Sequence, residues 1–151
     1  MRVDGEQQHG KNTAYDGRYP PLTKPEYERL ATFRYALRRL ARQTELEARR
    51  VGLSPQQYLL LLNIKGFPER DWASITELAE RLQIRHNAVI GLVNRAEERG
   101  LVSRRQDPEA SDRRVVQVHI TTEGDLLLQR MAKALHTERE RVRQAIHALE
   151  D

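Results

Sequence analysis

Between Ser74 and Thr121 the apolar residues change their period. Ile75, Leu78, Ala79 and Leu82 recur at helical spacing, and after a break at Gln83-Ile84 the residues Ala88, Val89, Leu92, Val93 and Ala96 do so again. Leu101-Val102 and then Val115, Val116, Val118 and Ile120 read instead as β-branched strands. The polar positions punctuate the same units. Ser74-Ile75-Thr76-Glu77 is a capping box, in which a Ser and a Glu three residues on each satisfy a free backbone N–H at a helix start. Gly100 stands where a left-handed residue ends a helix, and Gln106 to Asp112, with Pro108 inside, is turn chemistry. Helix, turn, helix, strand, loop and returning strand predict a winged helix-turn-helix, with the second helix from about Arg85 to Arg99.

The flanks read as scaffolding for residues 54–121. Ser54 caps a helix with Pro55 in its first turn and a core of Tyr58, Leu59, Leu61, Leu62 and Ile64. Trp72 follows in a segment that can add a third strand beside the wing, and it is expected to pack. Upstream, a long helix runs from Lys24 or Pro25 to Val51, with Gly52 as its stop. Tyr27, Leu30, Leu37, Leu40, Ala41, Thr44, Ala48 and Val51 lie near one face, while Phe33, Tyr35 and Leu46 fall off it. A helix with two apolar sides buries one in its own domain and the other in a second subunit. Downstream, a last helix begins at Thr121-Thr122 and carries apolar residues from Leu126 to Leu149 with no Gly or Pro after Gly124, so about 28 residues of helix would extend ~42 Å. A domain of this size does not cover such a helix alone. The terminal helices, residues 24–52 and 122–151, are therefore expected to make a two-fold homodimer. A monomer whose last helix folds back at Thr137 is the alternative. Residues 1–23 form a polar tail interrupted by Gly5, Gly10, Gly17, Pro20 and Pro21, with Tyr15, Tyr19 and Leu22 available to dock on a partner subunit. The fold class is mainly α with a small β-hairpin wing, in one domain over 24–151.

Charge gives this architecture a direction. Arg85, His86 and Asn87 crowd the first turn of the second helix, where the helix dipole favours acids. Such an N-terminus suits phosphate, and the first residues of a recognition helix meet base edges, Asn suiting adenine and Arg suiting guanine. Arg113 and Arg114 at the hairpin tip reach a minor groove or clamp phosphates. The expected DNA-binding set is Ser74, Thr76, Arg85, His86, Asn87, Arg95, Arg104, Arg105, Arg113 and Arg114.

These residues also carry a family resemblance. Leu101-Val102-Ser103-Arg104-Arg105, Asp107-Pro108, Ser111-Asp112-Arg113-Arg114, Val118-His119-Ile120-Thr121 and Glu123-Gly124 resemble the wing of MarR-type transcriptional regulators. Leu53-Ser54-Pro55-Gln56-Gln57-Tyr58 resembles the start of that family's second helix. The likeness extends roughly from Leu30 to the C-terminus. It implies an all-α dimerisation region around a winged helix and operator binding controlled by a small ligand, whose expected pocket residues are Tyr35, Arg38, Tyr58 and Leu62. Two departures matter. The family often opens its recognition helix with Ser-Pro-Ser, where this chain has Arg85-His86-Asn87. It also often has Asp at the place of Asn94, pairing with the second wing arginine. Asn94 offers Arg114 only a neutral hydrogen bond, so Arg113 is the stronger DNA candidate, and Asn94 and Asp112 are read as bracing the wing.

Composition excludes more than it proves. With 151 residues, 38% hydrophobic and 32% charged, the chain suits one small helical domain. Net charge is +4 overall, and the basic excess lies in residues 24–51 and 85–114, not at the C-terminus. No cysteine is present, which removes disulfides, thiol catalysis and a thiol redox switch. No signal-peptide core and no apolar run of membrane-spanning length is visible, so a cytoplasmic protein without a membrane partner is expected. The five histidines have no metal-ligand spacing, and neither metal nor cofactor is expected. Glu97 and Glu98 are adjacent on a helix and point apart, so no catalytic carboxylate pair is available and an enzyme is not expected. Double-stranded DNA, a second copy of the chain and a small effector are the expected partners, most simply for a repressor of a palindromic operator. A DNA-architectural protein without sequence preference and a winged-helix adaptor for proteins remain as alternatives.

Overall fold

Three hydroxyls set the starts of the first three helices. Thr23, Ser54 and Ser74 each accept from the backbone N–H three residues on, and the side chains there, Glu26, Gln57 and Glu77, take the cap residue's own N–H. A cap of this kind contributes about 1 kcal/mol. The computed structural model describes residues 17–107 and 115–151. Within them the chain runs α1 (Lys24–Arg50), α2 (Pro55–Lys65), β1 (Trp72–Ala73), α3 (Ile75–Leu82), α4 (His86–Glu98), β2 (Val102–Gln106), β3 (Val116–Ile120), α5 (Thr122–Ala134) and α6 (His136–Glu150).

The strands form one antiparallel sheet in the order β1-β3-β2. Trp72 pairs with His119, so the short strand expected at Trp72 does join the sheet, and Val102 to Gln106 pair with Ile120 to Val116. The α3–α4 turn is made by Gln83, a non-glycine residue in the left-handed region at φ 54°, whose side-chain amide donates to the Glu80 carbonyl. Gly100 follows α4 at φ +72°, where a Cβ would be strained. Leu60, Leu61, Ile64, Leu78, Val89, Val93, Val118, Met131 and Leu135 fill the core, joining α2, the helix-turn-helix, the sheet and α5.

The structure corrects three sequence-based expectations. In α2 the buried stripe is Gln57, Leu60, Leu61 and Ile64 with Tyr58, whereas Leu59 and Leu62 are exposed. Four consecutive leucines leave the period ambiguous, and the i, i+3, i+4, i+7 set wins. Ala88 is likewise exposed, because Val89, Leu92, Val93 and Ala96 are the residues that turn inward.

The third correction concerns the C-terminal helix. It is not one rod, because the chain leaves helical geometry at Leu135, φ −94° and ψ 4°, with its side chain buried. Arg139 reaches back across the break to donate to the Ala132 carbonyl at 2.6 Å, so a side chain serves backbone at the kink. From there α6 runs against α1 of the same chain, where Arg39 pairs with the largely buried Glu138 at 3.4 Å. The length argument for a dimer therefore does not hold.

Candidate nucleic-acid interface

Helix α4 turns Val89, Leu92, Val93 and Ala96 into the core, which leaves Asn87, Asn94 and Arg95 on its outer side. At its start Arg85, His86 and Asn87 are all exposed. Arg85 is the N-cap in extended geometry, and its carbonyl accepts from Ala88 and Val89, yet no side chain caps the helix. The four helices α1, α2, α3 and α5 all begin with a hydroxyl cap. The N–H groups and positive dipole end of α4 thus face solvent without an internal acceptor.

The fold brings several of the sequence candidates together around that end. Ser74, Ile75, Thr76, His86, Val115 and Val116 line one hollow of about 390 Å³ between the starts of α3 and α4 and the returning wing strand. Thr76, Arg85 and His86 also border the adjoining groove, with Gln83 and Ile84 of the turn. Ser74 is partly committed, since its Oγ accepts from the Glu77 N–H. Asp112, Arg113 and Arg114 lie outside the described residues.

The arginines here divide into tied and untied. Arg104 donates to Asn94 Oδ1 and lies 3.9 Å from Glu97. Asn94 therefore holds β2 to α4 through Arg104, the sequence having assigned it to Arg114. Arg99 donates to the Gly52 carbonyl, closing α4 onto the α1–α2 turn, and Arg81 donates to Asn63. Among the described residues Arg85, Arg95 and Arg105 carry no ion pair or hydrogen bond to a side chain.

His119 is half-buried between Trp72 on β1 and Ser103 on β2. Burial, and then Arg105, hold its pKa below the usual histidine value, against a smaller opposing effect of Asp71. It is uncharged at neutral pH, so positive charge at the wing base comes from Arg105.

Sequence reasoning missed the brace behind this face. The Arg70 guanidinium lies 3.8 Å from the Trp72 ring centroid and 4.3 Å from that of Phe67, and it pairs with Glu77, which accepts from the N–H of the α3 cap residue Ser74. Nothing in the spacing of Phe67, Arg70, Trp72 and Glu77 announces this cluster. It forms because the α2–β1 loop folds back over the start of α3.

The four expected pocket residues do not converge. Tyr58 is core, and burial pushes its phenol above the usual tyrosine range, with Arg139 acting weakly the other way. Leu62 and Arg38 are exposed on different helices. Tyr35 alone lines a cavity, about 280 Å³ between α1 and α6, together with Arg39, Arg141 and Gln144. One residue along a helix is a 100° rotation, which is why Arg39 faces this cavity and Arg38 does not.

A model of the MarR family matches residues 51–114, from the end of α1 into the wing. The HTH-type transcriptional repressor MdtR of Bacillus subtilis is 31% identical over 75 residues, 50% of this chain and 45% of that protein. Over its winged helix this chain is similar to the MarR family. The aligned segment spans less than half of the curated relative. Solved structures extend the likeness over the fold. A MarR family transcriptional regulator from Streptomyces coelicolor, determined in complex with DNA, is 28% identical, with a TM-score of 0.59 over 85% of this chain and 78% of its own. The fold is shared as well by BpsR of Bordetella bronchiseptica, at 22% identity and a TM-score of 0.57 over 72% of this chain and 79% of its own; its DNA binding is regulated by 6-hydroxynicotinic acid.

Proposed function

We propose that this protein is a MarR-family, dimeric, sequence-specific DNA-binding repressor that acts in the cytoplasm. One observation carries the reading. Arg85, Arg95 and Arg105 stand untied around the one uncapped helix start of the reading head, while Arg81, Arg99 and Arg104 beside them are tied down by protein acceptors. Untied guanidiniums beside free N–H groups suit phosphates and base edges. A protein-binding adaptor has no use for that arrangement. Likeness to a DNA-bound relative at 28% identity supports the same partner, and likeness to MdtR supports repression.

Apolar exposure supports a second copy of the chain as partner. Tyr27, Leu30 and Tyr35 on α1 and Ile146 and Leu149 on α6 are exposed. The antiparallel α1–α6 pairing, fixed by Arg39–Glu138 and the cavity lining, puts them at the same end of the helix pair. Exposed apolar residues gathered in this way suit a subunit interface. The α1–α6 cavity suits a small acid as effector. Arg39 and Arg141 share the single carboxylate of Glu138, at 3.4 and 3.6 Å, which leaves one positive charge uncompensated.

Replacing Arg105 by Ala is expected to leave the melting temperature unchanged and to reduce the slope of log K against log salt by about 1 per protomer. Arg85→Ala should do the same. Arg104→Ala should instead lower stability, since it strips Asn94 and Glu97 of their partner. Binding isotherms at four salt concentrations check this. An unchanged slope for both Arg85 and Arg105 variants contradicts the assignment.

A further inference from the structure

Gly91 sits in the middle of α4, where glycine is a poor helix former. Its backbone does not require it, because the described glycines in the left-handed region are Gly17, Gly52 and Gly100. Close packing against the body does not require it either. The three atoms nearest a Cβ placed at Gly91 all belong to Arg95, Nη1 at 3.3 Å and Cζ and Nη2 at 3.9 Å. The space beside Gly91 is therefore occupied by the Arg95 guanidinium, laid back along the helix toward its N-terminus. Helical side chains lean in that direction, and residues i and i+4 are neighbours on the surface. Arg95 is tied to no acceptor among the described residues. Asn87, Gly91 and Arg95 stand at i, i+4 and i+8, one stripe along the outer side of α4.

We propose that Gly91 is a specificity-determining residue: it forms a notch that seats the Arg95 guanidinium one helical turn from Asn87, where its fork reads a guanine edge. The proposal rests on the DNA-binding reading above and deepens it. A guanidinium offers two parallel donors to guanine O6 and N7, and that pairing depends on the angle of the fork. The notch fixes the angle by letting the side chain lie flat, and it lets the helix backbone come closer to the groove. The four residues from Asn87 to Gly91 rise ~6 Å along the helix, close to two base-pair steps of ~3.4 Å. The guanine is thus expected about two steps from the base met by Asn87.

The test is selection of random duplex DNA by the full-length wild type, Gly91→Ala, Arg95→Ala and the double variant, with binding constants for the selected duplex. Gly91→Ala should melt at or above the wild-type temperature, because alanine suits an unstrained helix interior. It should nevertheless lose the guanine preference at one position of each half-site and bind the wild-type sequence about ten-fold more weakly. Arg95→Ala should lose the same position, and the double variant should be no worse than Arg95→Ala, since both changes remove one interaction. A Gly91→Ala protein that selects the wild-type sequence with wild-type affinity overturns the notch while leaving DNA reading intact. Losses at Gly91 and Arg95 that fall on different positions or add fully overturn it too. A wild type that enriches no sequence overturns the underlying reading, and this proposal with it.

Discussion

Gly124→Ala is expected to destabilise this protein by about 3 kcal/mol or more, the upper end of what overpacking a well-filled site costs. A Cβ on Gly124 would run into the Leu101 carbonyl oxygen and come within 2.8 Å of Ile120 Cγ1. The carbonyl has nowhere to go, because it accepts from the Thr121 N–H at 3.0 Å, and the neighbouring Gly100 carbonyl accepts from the Thr121 hydroxyl at 2.6 Å. Thr121 in turn caps α5 through the Gly124 N–H. The first turn of α5 is thus seated on the chain where α4 gives way to β2, and one methyl group separates the two. Urea unfolding checks this through the midpoint, at unchanged slope if the variant unfolds from the same compact state. A variant with the wild-type midpoint would mean that α5 does not sit there.

Leu30→Glu is expected to cost little in the stability of the isolated subunit and a great deal in DNA affinity. Leu30 is 40% exposed on the apolar end of the α1–α6 pair, so a glutamate there meets water in a monomer. In a dimer it would be an unpaired charge in an apolar interface. Sedimentation should show a dimer for the wild type and a monomer for the variant at micromolar concentration. Joining two heads converts the second binding event into an intramolecular one, so losing the dimer should cost about 100-fold or more on a two-half-site duplex. It should cost nothing on a single half-site. A variant that remains dimeric, or binds both duplexes as the wild type does, contradicts the assignment of this face.

Much of the fold was legible because local chemistry and global packing agree here. The Ser74–Glu77 box, the apolar period of α4 and Gly100 each specify the same boundary that the tertiary structure uses. The sequence failed where the signal was either degenerate or not local. The leucine run Leu59 to Leu62 carries no period, so only packing decides that Leu60 is inside. Leu135 breaks the last helix without Gly or Pro, through a buried side chain and the Arg139–Ala132 bond, neither of which has a sequence signature. The site shows the same division. Exposure of Arg85, His86, Asn87, Arg95 and Arg105 was readable from the helical and strand periods. The tying of Arg104 to Asn94 was not, because it joins residues on different elements, and it moves Arg104 from the expected DNA set toward the wing's own support. Gly91 did leave a trace, as a lone glycine inside a helical pattern, but its neighbour across one turn is visible only in three dimensions.

Whether a dimer of this protein reads DNA sequence is decided by letting the purified protein select from random duplex DNA and sequencing what it retains. An enriched inverted repeat with half-sites about one helical turn, ~34 Å, apart is expected. Retention of DNA without enrichment would contradict sequence reading and leave an architectural protein, and no retention at low salt would contradict DNA as the partner.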